Sequence, residues 1–235
     1  MFSYFIFNGV HSRDMGIYLA AAAPIMRGKE RVTNATVLGR AGTLTLPEGE
    51  DVYEPYTQQI VVRAKDPQAV TAWLRGDGYI TFSTDPDRRQ KCRVVNQLQY
   101  KKISKHLEWY ESQVQIYCQP LKELIHEPEY AYVSGGTLTN LGDTVERPVL
   151  TLTGAYGDLA VSGGGKTLTI TGLDQDLGGC VIDSGANALL SYDKTQLITN
   201  LTAGEFPVLP VGASSIQLTG SHIGTVTIGR RQRWV

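Results

Sequence analysis

The stretch AVSGGGKTLTI, Ala160 to Ile170, has a small residue, four further positions and then Gly165-Lys166-Thr167, the spacing of a loose phosphate loop. A phosphate loop works because a strand delivers it and a helix begins directly behind it, so that free backbone amides and the positive end of the helix converge on the anion. Here Lys166 is followed by Thr167-Leu168-Thr169-Ile170-Thr171-Gly172, a period-two run rich in β-branched residues that leaves no room for a helix. The apolar strand ending in an acid that would hold magnesium has only Cys180-Val181-Ile182-Asp183 to offer, a short run bounded by glycines. The expectation is therefore a glycine-rich hairpin tip, with Ser162 to Lys166 as its loop, Lys166 in solvent, and Leu168 and Ile170 pointing inward.

Other chemistry-bearing residues are scattered. His11, His106, His126 and His222 lie far apart, and none has a His or Cys at ligand spacing, so no metal site is expected. Asp174, Asp176 and Asp183 are the residues from which the paired carboxylates of a glycosidase would have to be drawn, but LDQDLGG reads as a polar turn between strands. No serine sits in a nucleophile elbow and no cysteine has a placed histidine, so the chain reads as a non-enzyme without a cofactor. Cys92, Cys118 and Cys180 are odd in number and widely spaced, which favours reduced core thiols over a disulfide framework. Arg88 to Leu107 holds seven Lys or Arg and no acid, with Arg89, Lys91 and Arg93 on one strand face. Such a face either meets an acidic partner or nucleic acid, or is a solvated strand surface that discourages edge-to-edge aggregation; the neutral balance of the whole favours the second.

That balance is 22 Lys and Arg against 23 Asp and Glu, a net charge of -1, with 42% apolar and 19% charged residues in 235. No bulk attraction to nucleic acid or an anionic membrane follows from it. The apolar start MFSYFIF is too short for a signal peptide or a membrane span and runs at once into polar sequence, so synthesis in the cytoplasm is expected.

Two domains are expected to position these residues, 1–133 and 134–235. The first stretch holds 8 glycines and 31 charged side chains, the second 17 and 14, and Pro128 and Ser134-Gly135-Gly136 punctuate the change. In the first, strands are expected at Phe2 to Phe7, Gly16 to Leu19, Ala35 to Leu46, Gln58 to Lys65, Tyr79 to Ser83, Lys91 to Val95 and Leu107 to Cys118. One helix stands out: Asp66 caps it, Pro67 suits its first turn, Val70, Trp73 and Leu74 share a face, and Gly76 is placed to end it. In the second, short strands run from Val149 to Ile228, among them Gln196 to Thr199, at regular spacing with glycine-rich turns and no convincing helix. That is the pattern of an antiparallel β-sandwich.

In order along the chain, several segments resemble the distal tail proteins of long, flexible-tailed bacteriophages. They are the opening FIFNGVHSRDMGIYL, then TVLGRAGTL, AWLRGDGYITFSTDPDRRQKCRVVN and WYESQVQIYCQPLKE, and in the second half VIDSGANALLSY, GEFPVLPVGASSIQLTG and VTIGRRQRWV. The resemblance spans nearly the whole chain. It implies a mainly β protein whose first domain, β-rich with one helix, associates into a homohexameric ring at the end of the tail tube, while a galectin-like sandwich projects outward.

On that resemblance the protein is a virion component at the tail tip. It joins the tail tube protein to the tail hub or tip protein, holds receptor-binding or other baseplate proteins, and lets DNA pass through its lumen without specific binding. Candidate interface residues are Asn8, Gly9, Arg40, Arg89, Lys91 and Arg93. The terminal Arg230-Arg231-Gln232-Arg233-Trp234 reads either as a basic tail with an aromatic anchor or as a last strand with Trp234 packed. A different functional class, a carbohydrate-binding module for host-wall polysaccharide, needs exposed aromatic platforms. The second half supplies Tyr156, Tyr192, Phe206 and Trp234.

Overall fold

The computed structural model describes residues 3–106, 108–133 and 136–235; the expected strand start at Phe2, the start at Leu107 and the Ser134-Gly135 punctuation lie outside them. The chain is mainly β, with 52% of the described residues in strands and one α-helix among them. It divides into two compact units, one running to Ile125 and including Val235, the other His126–Trp234. The composition change at Ser134 thus falls inside the second unit. The physical reason is that Glu129–Ala131 pairs with Thr227 to Gly229, which ties the segment before the glycines to the second unit's sheet.

In the first unit the strands are β1 (Phe5–Phe7), β2 (Val10–His11), β3 (Ile17–Leu19), β4 (Lys29–Glu30), β5 (Val32–Thr36), β6 (Thr43–Pro47), β7 (Tyr53–Glu54) and β8 (Tyr56–Ala64). After helix α1 (Pro67–Trp73) come β9 (Asp77–Phe82), β10 (Arg88–Val94), β11 (Lys101–Lys102) and β12 (Tyr110–Leu124). The main sheet has the order β2-β1-β9-β10-β12-β8-β3, and β11 pairs with β12.

Helix α1 forms for the expected reasons. The Asp66 carboxylate accepts from the amides of Gln68 and Ala69 at 2.9 and 3.1 Å, and Pro67 opens the first turn where its missing N–H costs nothing. The helix packs on one face of the sheet: Val70 is buried, and Trp73 stacks on Phe5 at 5.5 Å while meeting Phe7 edge-on. Ile60, Val62 and Ala64, with Val114, Ile116 and Cys118, complete that core.

Two strand expectations change. Ala35 to Leu46 is a hairpin, β5 and β6, rather than one strand, because Gly39 and Gly42 take φ of +82° and +84° and reverse the chain. The strand expected to end at Cys118 continues to Leu124 through Pro120. Proline is tolerated there because the β10–β12 register shifts, Cys92 facing Cys118 but Gln90 facing Lys122, so Pro120 lies at an irregularity.

The second unit holds β13 (Glu129–Ala131), β14 (Leu138–Asn140), β15 (Val149–Thr153), β16 (Tyr156–Gly163), β17 (Lys166–Leu173) and β18 (Gly179–Asp183). Then follow β19 (Ala188–Ser191), β20 (Thr202–Gly204), β21 (Gly212–Ser214), β22 (Ile216–His222) and β23 (Thr225–Gly229). Two antiparallel sheets, β13-β23-β15-β18-β19 and β20-β17-β16-β22, bury their inner faces in one core, with Leu150, Leu152 and Ile182 from the first and Val161, Leu168 and Ile170 from the second. Gln196 to Thr199 forms no strand; only a bridge from Leu197 to Leu190 is made.

Candidate interface on the open sheet face

Strand alternation sends every second side chain of the first unit's sheet away from the helix. On β12, Ser112, Val114, Ile116 and Cys118 are buried, while Gln113 and Tyr117 are exposed. On this outer face Lys91, Arg93, Gln113 and Tyr117 are exposed. Opposite pairs knit it: Gln113 faces Val61, Gln115 faces Gln59 and Tyr117 faces Thr57, and the Gln113 amide donates to Gln59 Oε1 at 2.8 Å. Where β10 ends, Asn96 replaces it as a hydrogen-bonding neighbour. Its amide donates to the Gln113 carbonyl and its Oδ1 accepts from the Gln115 N–H, both at 2.7 Å.

The arginines of this face are matched with acids across the strands. Arg89 meets Glu123 at 2.7 Å, Arg63 meets Glu111 at 2.8 Å and Arg93 meets Asp77 at 3.7 Å, each pair occupying opposite positions in the register. Exposed pairs of this kind contribute roughly 0 to 1 kcal/mol each, so their main effect is to cancel charge. Lys91 stays exposed opposite Tyr79, and the Arg89 guanidinium lies 4.5 Å from the centre of the Tyr79 ring. The basic run is thus locally neutralised on β10, consistent with the solvated-face reading.

The expected interface residues fall into two groups. Asn8 and Gly9 form the two-residue turn of the β1–β2 hairpin with φ of +50° and +78°. Asn8 also clamps β9: its backbone N–H donates to the Tyr79 carbonyl at 3.0 Å and its Oδ1 accepts from the Tyr79 N–H at 2.9 Å. Gly78 makes room for that clamp, since a Cβ there would lie 2.0 Å from Asn8 Oδ1. With Ile6, Tyr79, Thr81 and Ile125, the residues Asn8, Gly9 and Arg89 line a pocket of about 350 Å³. Lys91 and Arg93 continue along the same face of β10. Arg40 stands apart, exposed at the tip of the β5–β6 hairpin.

No family model matches the sequence, and no curated protein is similar to it at a significant level. Among solved structures, the chain is similar to SPP1 Dit (gp 19.1), described as a paradigm of the hub adsorption apparatus in phages infecting Gram-positive bacteria. The match covers 100% of both chains with a TM-score of 0.72 at 14% identity. The chain has the Dit fold. At that identity the likeness is one of architecture, and it agrees with the order of motifs in the sequence.

Within this Dit fold, the residues that sequence reasoning missed are acids that hold the terminal arginines. Glu146 is fully buried, and its two carboxylate oxygens accept from Arg230 Nε and an Arg230 terminal nitrogen at 2.6 and 2.5 Å. Glu146 also accepts from the Arg231 N–H at 2.8 Å, and Arg230 donates to the Thr139 carbonyl. Arg231 forms two bonds to Asp183, Arg233 pairs with Glu127, and the Trp234 indole donates to the Leu141 carbonyl. The segment is therefore packed structure rather than a free basic tail. A cue was present in Glu146 lying between Val145 and Arg147-Pro148, but burial of a charge has no periodic signature.

The remaining chemical candidates in the Dit fold take structural places. Gly164 and Gly165, with φ of +61° and +77°, turn β16 directly into β17, so no helix start follows Lys166. Asp174 caps the short 3-10 turn Gln175–Leu177. Burial pushes Asp183 upward, but hydrogen bonds from Arg231 and from the Ala186 and Gly185 amides outweigh it and hold its carboxyl below the usual range. The three thiols are free and buried, and burial pushes each up to about 12. Among the described residues no three His, Cys, Asp or Glu gather as a metal site, and no helix is long and apolar enough to cross a membrane.

Proposed function

We propose that this chain is a non-enzymatic structural protein of a phage tail tip, forming a homohexameric ring that joins the tail tube to the hub. The observation that carries this reading is the full-length likeness to SPP1 Dit, both units included. The first unit supplies the ring, through a heterologous contact that closes by rotation. The second, galectin-like unit carries receptor-binding or other baseplate proteins. Cross-strand cancellation of the arginines on the open face supports DNA passage without specific binding, since retention on a phosphate backbone needs uncompensated cations.

Light-scattering mass measurement over a range of concentrations, alone and with the tube and hub proteins, tests the ring. A hexamer is expected; a chain that remains monomeric in all these mixtures sinks the reading. The same purified protein applied to host-wall polysaccharide tests the carbohydrate-binding alternative. Saturable binding lost in Tyr192→Ala would promote it. Tyr156 is a poorer platform, because His222 stacks on its ring at 4.1 Å.

A further inference from the structure

The β5–β6 hairpin is built outward. It pairs only with itself, and none of its side chains joins the core of the first unit among the described residues. Ala35 faces Leu44 and Thr33 faces Leu46, giving one side of the ribbon an apolar stripe. At the tip the Arg40 N–H donates to the Val37 carbonyl at 3.2 Å and Gly39 takes φ +82°, a turn that holds Leu38 at its second position. Leu38 is 98% exposed. A two-stranded ribbon is marginal by itself in water, and a fully exposed leucine does nothing for its fold.

The same unit carries a matching recess. Ile6, Tyr79, Thr81 and Ile125 give the pocket on the open face an apolar lining large enough for an aliphatic side chain. Asp77 lies beside its rim, its carbonyl accepting from the Asn8 amide at 3.4 Å, and its carboxylate is largely in solvent with a long ion pair to Arg93. Arg40, two residues from Leu38, is exposed at the same tip.

The geometry points to a contact between copies of this chain in which Leu38 of one copy enters the Ile6–Tyr79–Thr81–Ile125 pocket of the next and Arg40 meets Asp77. Knob and recess sit at different places on one unit, so the contact is heterologous and propagates head to tail, as a ring requires. It rests on the ring reading above and names the residues that make the joint. It also connects the two groups of candidate interface residues: Arg40 is on the knob, and Asn8, Gly9 and Arg89 frame the recess.

The test uses the full chain. Leu38→Ser should leave the melting curve unchanged at concentrations too low for assembly, because the side chain makes no core contact, and should raise the concentration at half-assembly by about tenfold or more. Arg40→Asp and Asp77→Arg should each weaken assembly, and the double variant should recover it. Because the native thiols are buried, Leu38→Cys combined with Tyr79→Cys should give a ladder of linked copies with a short bismaleimide, whereas neither single variant should. If the wild type assembles but Leu38→Ser assembles equally well and the cysteine pair does not link, the contact is overturned and the ring stands. A wild type that never assembles, even with tube and hub proteins, overturns both.

Discussion

The two units solve the same problem differently. In the second, two sheets turn their inner faces onto each other, and the only strongly buried ion pair, Arg230 with Glu146 among the described residues, is fully satisfied within it. In the first, one sheet is covered by a helix on one side while Lys91, Arg93, Gln113 and Tyr117 stand exposed on the other, and among the described residues a hairpin stands outside the core. A unit that turns the apolar faces of both its sheets onto each other spends them on its own core. One that exposes a flat, charge-cancelled face, a pocket and an apolar knob is built for assembly, and mutations should therefore separate the units: stability effects in the second, assembly effects on the outer face of the first.

The largest effect should come from Glu146→Ala. It leaves the Arg230 guanidinium buried without its anion, a change that costs about 3 to 5 kcal/mol. Urea denaturation of the full chain would give the magnitude, and hydrogen exchange in β15 and β18 would assign the loss to the second unit. Protection lost equally in β8 and β12 would break the division drawn between the units.

Leu168→Ala comes next. Its side chain is buried in the sandwich core, and its truncation should cost about 2 to 5 kcal/mol. Lys91→Ala, on the open face of the first unit, is the matched control and should change stability by no more than about 0.5 kcal/mol. A large loss from the Lys91 change would mean that the open face is not open.

Asn8→Ala should fall between these, at about 1 to 3 kcal/mol, because it removes the bond from the Tyr79 N–H and places alanine at φ +50°. Asn8→Gly relieves the backbone strain but not the lost bond, so it should recover part of the loss. Equal melting temperatures for the two variants would show that backbone strain contributes nothing there.

How much of this was legible depended on the range of the interaction. Helix α1 was readable because Asp66, Pro67 and the spacing of Val70 and Trp73 are local, and β8 because Ile60, Val62 and Ala64 alternate within one strand. The Thr/Leu alternation of β17 likewise identified its inward residues. Short polar strands such as β13, β14 and β21 escaped notice, because three residues show no period and are strands only through their partners. The pocket was half visible: Asn8-Gly9 reads as a turn and Arg89 as an outward cation, but only the β1-β9-β10 order brings them together around Tyr79. Glu146 was illegible, since its role depends on an arginine at the far end of the unit.

A smaller effect belongs to Asp183, at the edge of the sandwich. Its carboxyl is held below the ordinary value, so its contribution is present above the unfolded pKa, near 3.8, and is lost as pH falls through the lower folded value. Its partner Arg231 is about a third exposed, so solvent screens the pair and the contribution is about 1 kcal/mol. Asp183→Asn should thus flatten the acid limb of a stability profile below about pH 4 while leaving assembly unchanged. An unchanged limb would remove Arg231 from the account of how the segment is held.

The smallest effect should come from Lys166→Ala, and it tests the comparison at the point where the letters of a nucleotide site occur in the unit built around its own closed core. Lys166 pairs with Glu205 at 3.3 Å, and both side chains are well exposed, so its loss should alter stability by less than about 1 kcal/mol. The positive φ at Gly164 and Gly165 serves a strand-to-strand turn, and the amides beyond Lys166 belong to the β16–β17 ladder rather than to an open helix end. Without those donors a lone, acid-paired lysine has little hold on a triphosphate. Calorimetric titration with ATP should accordingly show no saturable heat in the wild type or the variant; saturable binding abolished by Lys166→Ala would mean that this hairpin tip, and not only the first unit's open face, is a working surface.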